Sequence, residues 1–279
     1  MSRVTARRPT LRISPNGEVR RPDTLAVEEP LEIRIAGQSL TVTMRTPGAD
    51  IDLVHGFLLS ENIIGSMDDV VSARYCAGTD ADGHNTYNVL DVELRGPATV
   101  RSRNFLTTGA CGVCGKTALD EVRSHTRYPI RAHGSAVDTT VLAGMPESLR
   151  ARQSVFDATG GLHAAGLFTV GGEALAVRED IGRHNAVDKV IGWALRENRI
   201  PAHDLVLIVS GRASFELVQK AVMAGIPTLG AVSAPSSLAV DLAVESGLTL
   251  VGFLRGDTMN VYSGSDRLVI PGTAAVQSV

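Results

Sequence analysis

The 279 residues are 44% apolar and only 20% charged, which is material for one large packed domain or two modest ones and excludes a chain disordered throughout. A net charge of −3 excludes broad electrostatic attraction to nucleic acid or to an anionic membrane, so an anionic ligand has to be held by a local site. Three cysteines, Cys76, Cys111 and Cys114, are odd in number and too few for a disulfide-stapled secreted fold, which favours a reducing, cytoplasmic compartment.

The N-terminal stretch carries Arg3, Arg7 and Arg8 with no apolar run behind them, so it lacks the pattern of a secretory signal, and residues 1–27 are expected to be a mobile basic tail. From Leu31 to Met44 two loosely alternating segments flank Ala36-Gly37-Gln38, the pattern of a hairpin. Ile51 to Ile64 places Leu53, Val54, Phe57 and Leu58 at helical spacing, with Asp50 as a candidate cap and His55 beside the apolar stripe. Tyr87 to Leu94 and Ala98 to Ser102 follow as strands after the turn-rich Gly78 to Asn85. Residues 28–140 therefore form a mixed α+β domain, and the boundary to the next is placed in the polar stretch Ala132 to Arg152.

Residues 150–270 read as an α/β domain. Leu175 to Val177 is a strand and His184 to Asn198 a helix with Val187, Val190, Ile191, Ala194 and Leu195 on one face. Strand Leu205 to Val209, helix Phe215 to Ala224, strand Thr228 to Val232, helix Leu238 to Ser246 and strand Leu248 to Leu254 then alternate, which predicts right-handed crossovers and a largely parallel sheet. The uncharged window Ala221 to Val240 has spanning length, but Gly225, Pro227, Gly230 and Pro235 make it a poor lipid-facing helix, so no membrane is expected. Residues 271–279 are expected to be a C-terminal tail.

The chemistry concentrates first in Thr107-Thr108-Gly109-Ala110-Cys111-Gly112-Val113-Cys114-Gly115-Lys116. Glycines permit positive φ, so both thiols can approach one incoming atom. A helix over Lys116 to Val122 would set the sulfurs at its N-terminus, where free N–H groups and the lysine favour thiolate, the form that attacks a persulfide. The same spacing is half of a tetrahedral zinc site, or a thioredoxin-like redox pair, and spacing leaves these alternatives open. No second cysteine pair completes a zinc site, so no structural metal is expected. Cys76 reads as a small buried filler.

A second cluster runs from Arg178 to Lys189. Asn185 and Asp188 suit an ordinary cap with an acidic first turn, whereas Arg183 and His184 suit an anion site. Ser210-Gly211-Arg212 and Ser233 to Ser237 add two more helix starts at strand ends, where α/β folds bind ligands, so a phosphate-bearing ligand is expected. His163 reads as a core histidine bonded to backbone, and Gly252 to Tyr262 as a hairpin through Arg255-Gly256-Asp257.

Together with His55-Gly56-Phe57-Leu58, these blocks resemble the FdhD/NarQ family, the formate dehydrogenase accessory sulfurtransferases, over Leu31 to Leu268. The resemblance implies a sulfurtransferase and persulfide carrier that takes sulfur from an IscS-type cysteine desulfurase. It implies delivery to the molybdenum cofactor, in its bis(molybdopterin guanine dinucleotide) form, before that cofactor enters formate dehydrogenase. Cys111 would carry the persulfide with Cys114 as its partner. Phe253, Leu254, Arg255, Gly256, Asp257 and Thr258 would meet the bound cofactor, and the anion-site residues Arg183, His184, Asn185, Lys189, Ser210 and Arg212 fit its nucleotide ends. The resemblance also implies a homodimer and a cytidine-deaminase-like second domain, without that fold's zinc chemistry because Ala165 stands where a deaminase carries its glutamate. A non-catalytic cofactor-binding chaperone and a dithiol-disulfide oxidoreductase are the competing functions.

Overall fold

The computed structural model describes residues 4–76, 86–96, 126–130 and 135–271. Strands β3 (Glu29–Ile35) and β4 (Gln38–Arg45) form the expected hairpin and join β5 (Val70–Tyr75) and β6 (Val89–Leu94) in a four-stranded sheet of order β4-β3-β6-β5. Leu31, Ile33 and Ile35 alternate inward on β3 and bury against helix α1 (Asp50–Ser60), as a period-2 pattern requires. Asp50 does not cap α1: the N-cap is Ala49 in the left-handed region, and the Asp50 carboxylate pairs instead with the fully buried Arg45 at 2.9 Å.

The second sheet has six strands in the order β13-β12-β11-β10-β8-β9. β10 (Leu205–Val209), β11 (Thr228–Ala231) and β12 (Thr249–Arg255) are its parallel centre, connected through helices α5 (Phe215–Met223) and α6 (Ser237–Glu245). The hairpin of β8 (His163–Thr169) and β9 (Ala174–Asp180) adds antiparallel strands at one side, and β13 (Thr258–Ser263) adds one at the other. All five residues of β10 are buried, because the sheet is covered on both faces. One face packs on α4 (Arg183–Arg196), α5 and α6, and the other on α2 (Thr139–Arg150), whose Leu142, Met145 and Leu149 reach Phe168, Val206 and Ile208. A short helix, α3 (Ser154–Thr159), leads into β8, while β7 (Val137–Asp138) pairs with β14 (Leu268–Val269).

Two segments differ from the sequence expectation. Residues expected as a tail form a β-hairpin, β1 (Thr5–Ser14) and β2 (Gly17–Ala26), with ten paired positions. The polar stretch Ala132 to Arg152 contains α2, a helix capped by the Asp138 carboxylate on the Thr140 N–H at 2.7 Å and packed on the second sheet. Strand Ala98 to Ser102 and helix Lys116 to Val122 lie outside the described residues.

The two sheets share one core through α1 and α4, which touch along a glycine seam. A methyl group at Gly56 would overlap the Asp188 carbonyl, and one at Gly192 would overlap the Asp52 carbonyl, so the backbones meet only because both positions lack a side chain.

Candidate ligand cleft at the strand ends

The C-terminal ends of β10, β11 and β12 open onto the same side as the start of antiparallel β8 and the end of β9. From these ends the chain turns into α4, α5 and α6, so three helix N-termini gather where a parallel sheet binds ligands. Ser236 caps α6 by accepting from the Ala239 N–H at 3.3 Å, whereas Gly182 and Ser214 give α4 and α5 no side-chain cap.

A cleft of about 630 Å³ lies at this edge, lined by Phe156, His163, Ser210, Val232, Leu254 and Arg255 among others. Ser210 is fixed by a reciprocal pair: its N–H donates to the Ala164 carbonyl at 3.0 Å and its hydroxyl accepts from the Ala164 N–H at 2.9 Å. That bond uses a lone pair and leaves the hydroxyl proton for a ligand acceptor. Arg255 Nε donates to the Val232 carbonyl at 3.1 Å, which orients an exposed guanidinium whose fork suits a phosphate. Glu179 holds the start of α3, and with it Phe156, by accepting from the Val155 and Phe156 N–H groups at 3.0 and 2.7 Å.

His163 is half-buried at the cleft rather than a core residue. Burial, with repulsion from Arg183 and His184, holds its imidazole below the ordinary histidine range, so near neutral pH it presents one donor and one acceptor. Arg183 opens α4, and its buried Nε has no hydrogen-bond partner among the described residues.

The remaining sequence-predicted site residues are distributed more widely. Phe253, Gly256, Asp257 and Thr258 lie on the β12–β13 hairpin, whose Leu254 and Arg255 reach the cleft. Phe253 is 43% exposed and carries φ 51, a left-handed conformation inside a strand, at an irregularity in the β12–β13 ladder. An aromatic side chain holds that conformation at a cost of about 1–3 kcal/mol, the kind of strain found at ligand sites. Arg212 is exposed on the turn between β10 and α5.

His184 and Asn185 turn away from the cleft and line a separate cavity of about 110 Å³ with Asp188, Glu216 and Lys220. His184 Nε2 lies 2.6 Å from the Glu216 carboxylate, and this contact is the main cause holding that carboxyl below its usual range. Asn185 is no cap: its amide donates to the Met44 carbonyl at 2.8 Å and to Asp180 at 3.0 Å. Lys189 is 2% exposed and its ammonium is spent on Asp180 at 2.7 Å and the Thr46 carbonyl at 2.8 Å, so it is built into the fold rather than turned to a ligand. Cys76 is partly exposed rather than a buried filler. Cys111 and Cys114 lie outside the described residues. Phe156 and Val232 are among the cleft residues that sequence reasoning missed, and only the Gly160-Gly161 pair before His163 signalled a backbone turn at that place.

Among the described residues no helix is long and apolar enough to cross a membrane. The FdhD/NarQ family model matches residues 26–269. Sulfur carrier protein FdhD of Nocardia farcinica is 80% identical over 266 residues, covering 95% of each chain. The protein of the same name from Mycolicibacterium paratuberculosis is 59% identical, covering 95% of this chain and 99% of its own. A crystal structure from Desulfotalea psychrophila, assigned as a formate dehydrogenase accessory protein, superposes with a TM-score of 0.75 at 22% identity, covering 95% of this chain and all of its own, which establishes likeness of fold.

Proposed function

The chain belongs to the FdhD/NarQ family, and from that premise we propose that it is a sulfur carrier serving the maturation of formate dehydrogenase. Its donor is an IscS-type cysteine desulfurase. The Cys111 thiolate attacks the terminal sulfur of the donor's persulfide, the donor's S–S bond breaks, and the donor cysteine leaves as thiolate. Cys114 then attacks Cys111 Sγ, which closes a disulfide and releases the outer sulfur as hydrosulfide, the dithiol supplying both electrons. The recipient is the molybdenum cofactor in its bis(molybdopterin guanine dinucleotide) form, bound as substrate by a cytoplasmic homodimer.

The observation that carries the binding half of this reading is the strand-end cleft. Its Ser210 hydroxyl, neutral His163 and forked Arg255 suit phosphate and nucleotide groups, and its Leu254 and Phe156 supply apolar wall. The test is intact-mass measurement after incubation with desulfurase and cysteine. Wild type gains one sulfur atom and Cys111→Ala gains none. A Cys111→Ala, Cys114→Ala protein that still matures formate dehydrogenase would replace the carrier by a chaperone. Reduction of a model disulfide at enzymatic rates without desulfurase would replace it by an oxidoreductase.

A further inference from the structure

The β1–β2 hairpin stands apart from everything so far assigned to the cleft. It almost wholly precedes residues 26–269, the part matched to the family, and none of its side chains enters either hydrophobic core. It carries Arg7, Arg8, Arg12, Arg20 and Arg21 against Glu18 and Asp23, a net +3, so the rest of a chain of net −3 carries −6. The register pairs Leu11 with Arg20 and Thr10 with Arg21, and strand alternation then puts Arg7 and Arg20 on one face and Arg8, Arg12 and Arg21 on the other. Arg7, Arg8, Arg20 and Arg21 border one concavity of about 590 Å³. Leu11, Ile13 and Val19 are interleaved with them at 44%, 76% and 62% exposure.

We propose that this hairpin is a docking arm for a protein surface that is acidic with an aliphatic centre. Its charge fixes the sign of the partner. Its exposed aliphatics fit a protein rather than a nucleic acid, because residues 5–26 contain no Phe, Tyr or Trp on which a base could stack. An anionic membrane is disfavoured by the missing aromatic anchors and by the net negative charge of the whole chain. Addition of a partner strand is disfavoured as well: Pro9 and Pro22 sit opposite each other, so neither strand offers an N–H at the middle of its edge. Recognition therefore runs through side chains. The arm is also well placed, since β2 packs against α3, the helix that carries Phe156 to the cleft. A partner seated on the arm stands beside the cleft in which the cofactor is proposed to bind, so the partner is the enzyme that receives the finished cofactor.

The test compares full-length wild type with a variant carrying Arg7→Gln, Arg8→Gln, Arg20→Gln and Arg21→Gln, and with its Arg→Lys counterpart. Immobilised probes are the organism's cysteine desulfurase and its apo formate dehydrogenase. The Gln variant is expected to bind apo formate dehydrogenase about tenfold more weakly at low salt and with a flatter salt dependence, while the Lys variant keeps most of the binding. Equal binding of formate dehydrogenase by wild type and the Gln variant overturns the proposal, and so does wild type that does not bind it. Arginine-dependent binding to the desulfurase, to duplex DNA or to phosphatidylserine vesicles, without binding to formate dehydrogenase, overturns the proposal and assigns the arm to that partner. Persulfide mass on wild-type Cys111, read in the same samples, tests the sulfur-carrier reading separately.

Discussion

Lys220 Nζ donates to both carboxylate oxygens of Asp188 at 2.8 Å, and the Ser60 hydroxyl donates to one of them at 3.1 Å, so α5, α4 and α1 are tied at one buried point. Lys220→Met leaves Asp188 buried and unpaired, which should cost about 3–5 kcal/mol in urea denaturation. Replacing both partners, with Asp188→Leu added, removes the stranded charge and should recover a large part of that loss. A double variant no more stable than the single one would show that the pair is not what the carboxylate needs.

The glycine seam gives a sharper contrast. Gly56→Ala and Gly192→Ala each drive a methyl into a facing backbone carbonyl, so each should destabilise by about 3 kcal/mol or more. Gly144 lies on the exposed side of α2 with nothing near its would-be Cβ, and Gly144→Ala should be neutral or stabilising by up to about 1 kcal/mol. Equal effects at all three positions, read as thermal midpoints, would sink this account of the α1–α4 contact.

His55 sets an acid limit on stability. It is 2% exposed, its Nδ1–H donates to the Ile51 carbonyl at 2.6 Å, and burial holds its pKa below the ordinary 6.5. The unfolded chain then binds the proton more readily than the folded one. The contribution is complete above pH 6.5 and is lost as pH falls below 6.5 toward the depressed folded value. Stability of wild type should decline over that window and His55→Gln should flatten the decline; parallel curves for the two proteins would remove His55 as the cause.

The residues expected at the ligand site should separate by experiment as they do in space. On the proposed reading of the cleft, Arg255→Ala at its wall and Arg183→Ala near His163 should weaken binding of a guanosine nucleotide by about tenfold or more, each removing a charged donor, with little change in melting temperature. Lys189→Met should do the reverse, lowering stability by about 3–5 kcal/mol because Asp180 is left unpaired in the interior. Calorimetric titration and thermal melts on the three variants check both halves.

The strand–turn–helix units from Leu205 onward were legible because their periodicity switches between fully buried strands and one-sided helices; α5 and α6 lie within two residues of the expected bounds. The four-stranded sheet showed its hairpin for the same reason. The β1–β2 hairpin was hidden because arginines occupy both faces and prolines sit mid-strand, leaving no alternation to read. Helix α2 was hidden by Pro146 and by a polar outer face, although Leu142, Met145 and Leu149 do recur at helical spacing. The misplacement of Lys189 has a different origin. A cation at that position looks available for a phosphate until the fold brings Asp180 beside it, and that pairing depends on how β9 and α4 pack rather than on local pattern. Cleft residues such as Phe156 and Val232 come from separate connections, which no single motif encodes.

The seam between α1 and α4 also bears on how this chain can be divided. A fragment starting at residue 135 would bare the strip of α4 around Asp188 and Gly192, which the backbone of α1 covers in the whole chain, to water. Such a fragment is expected to aggregate, whereas co-expression of residues 1–134 as a separate chain should rescue it by reassembly.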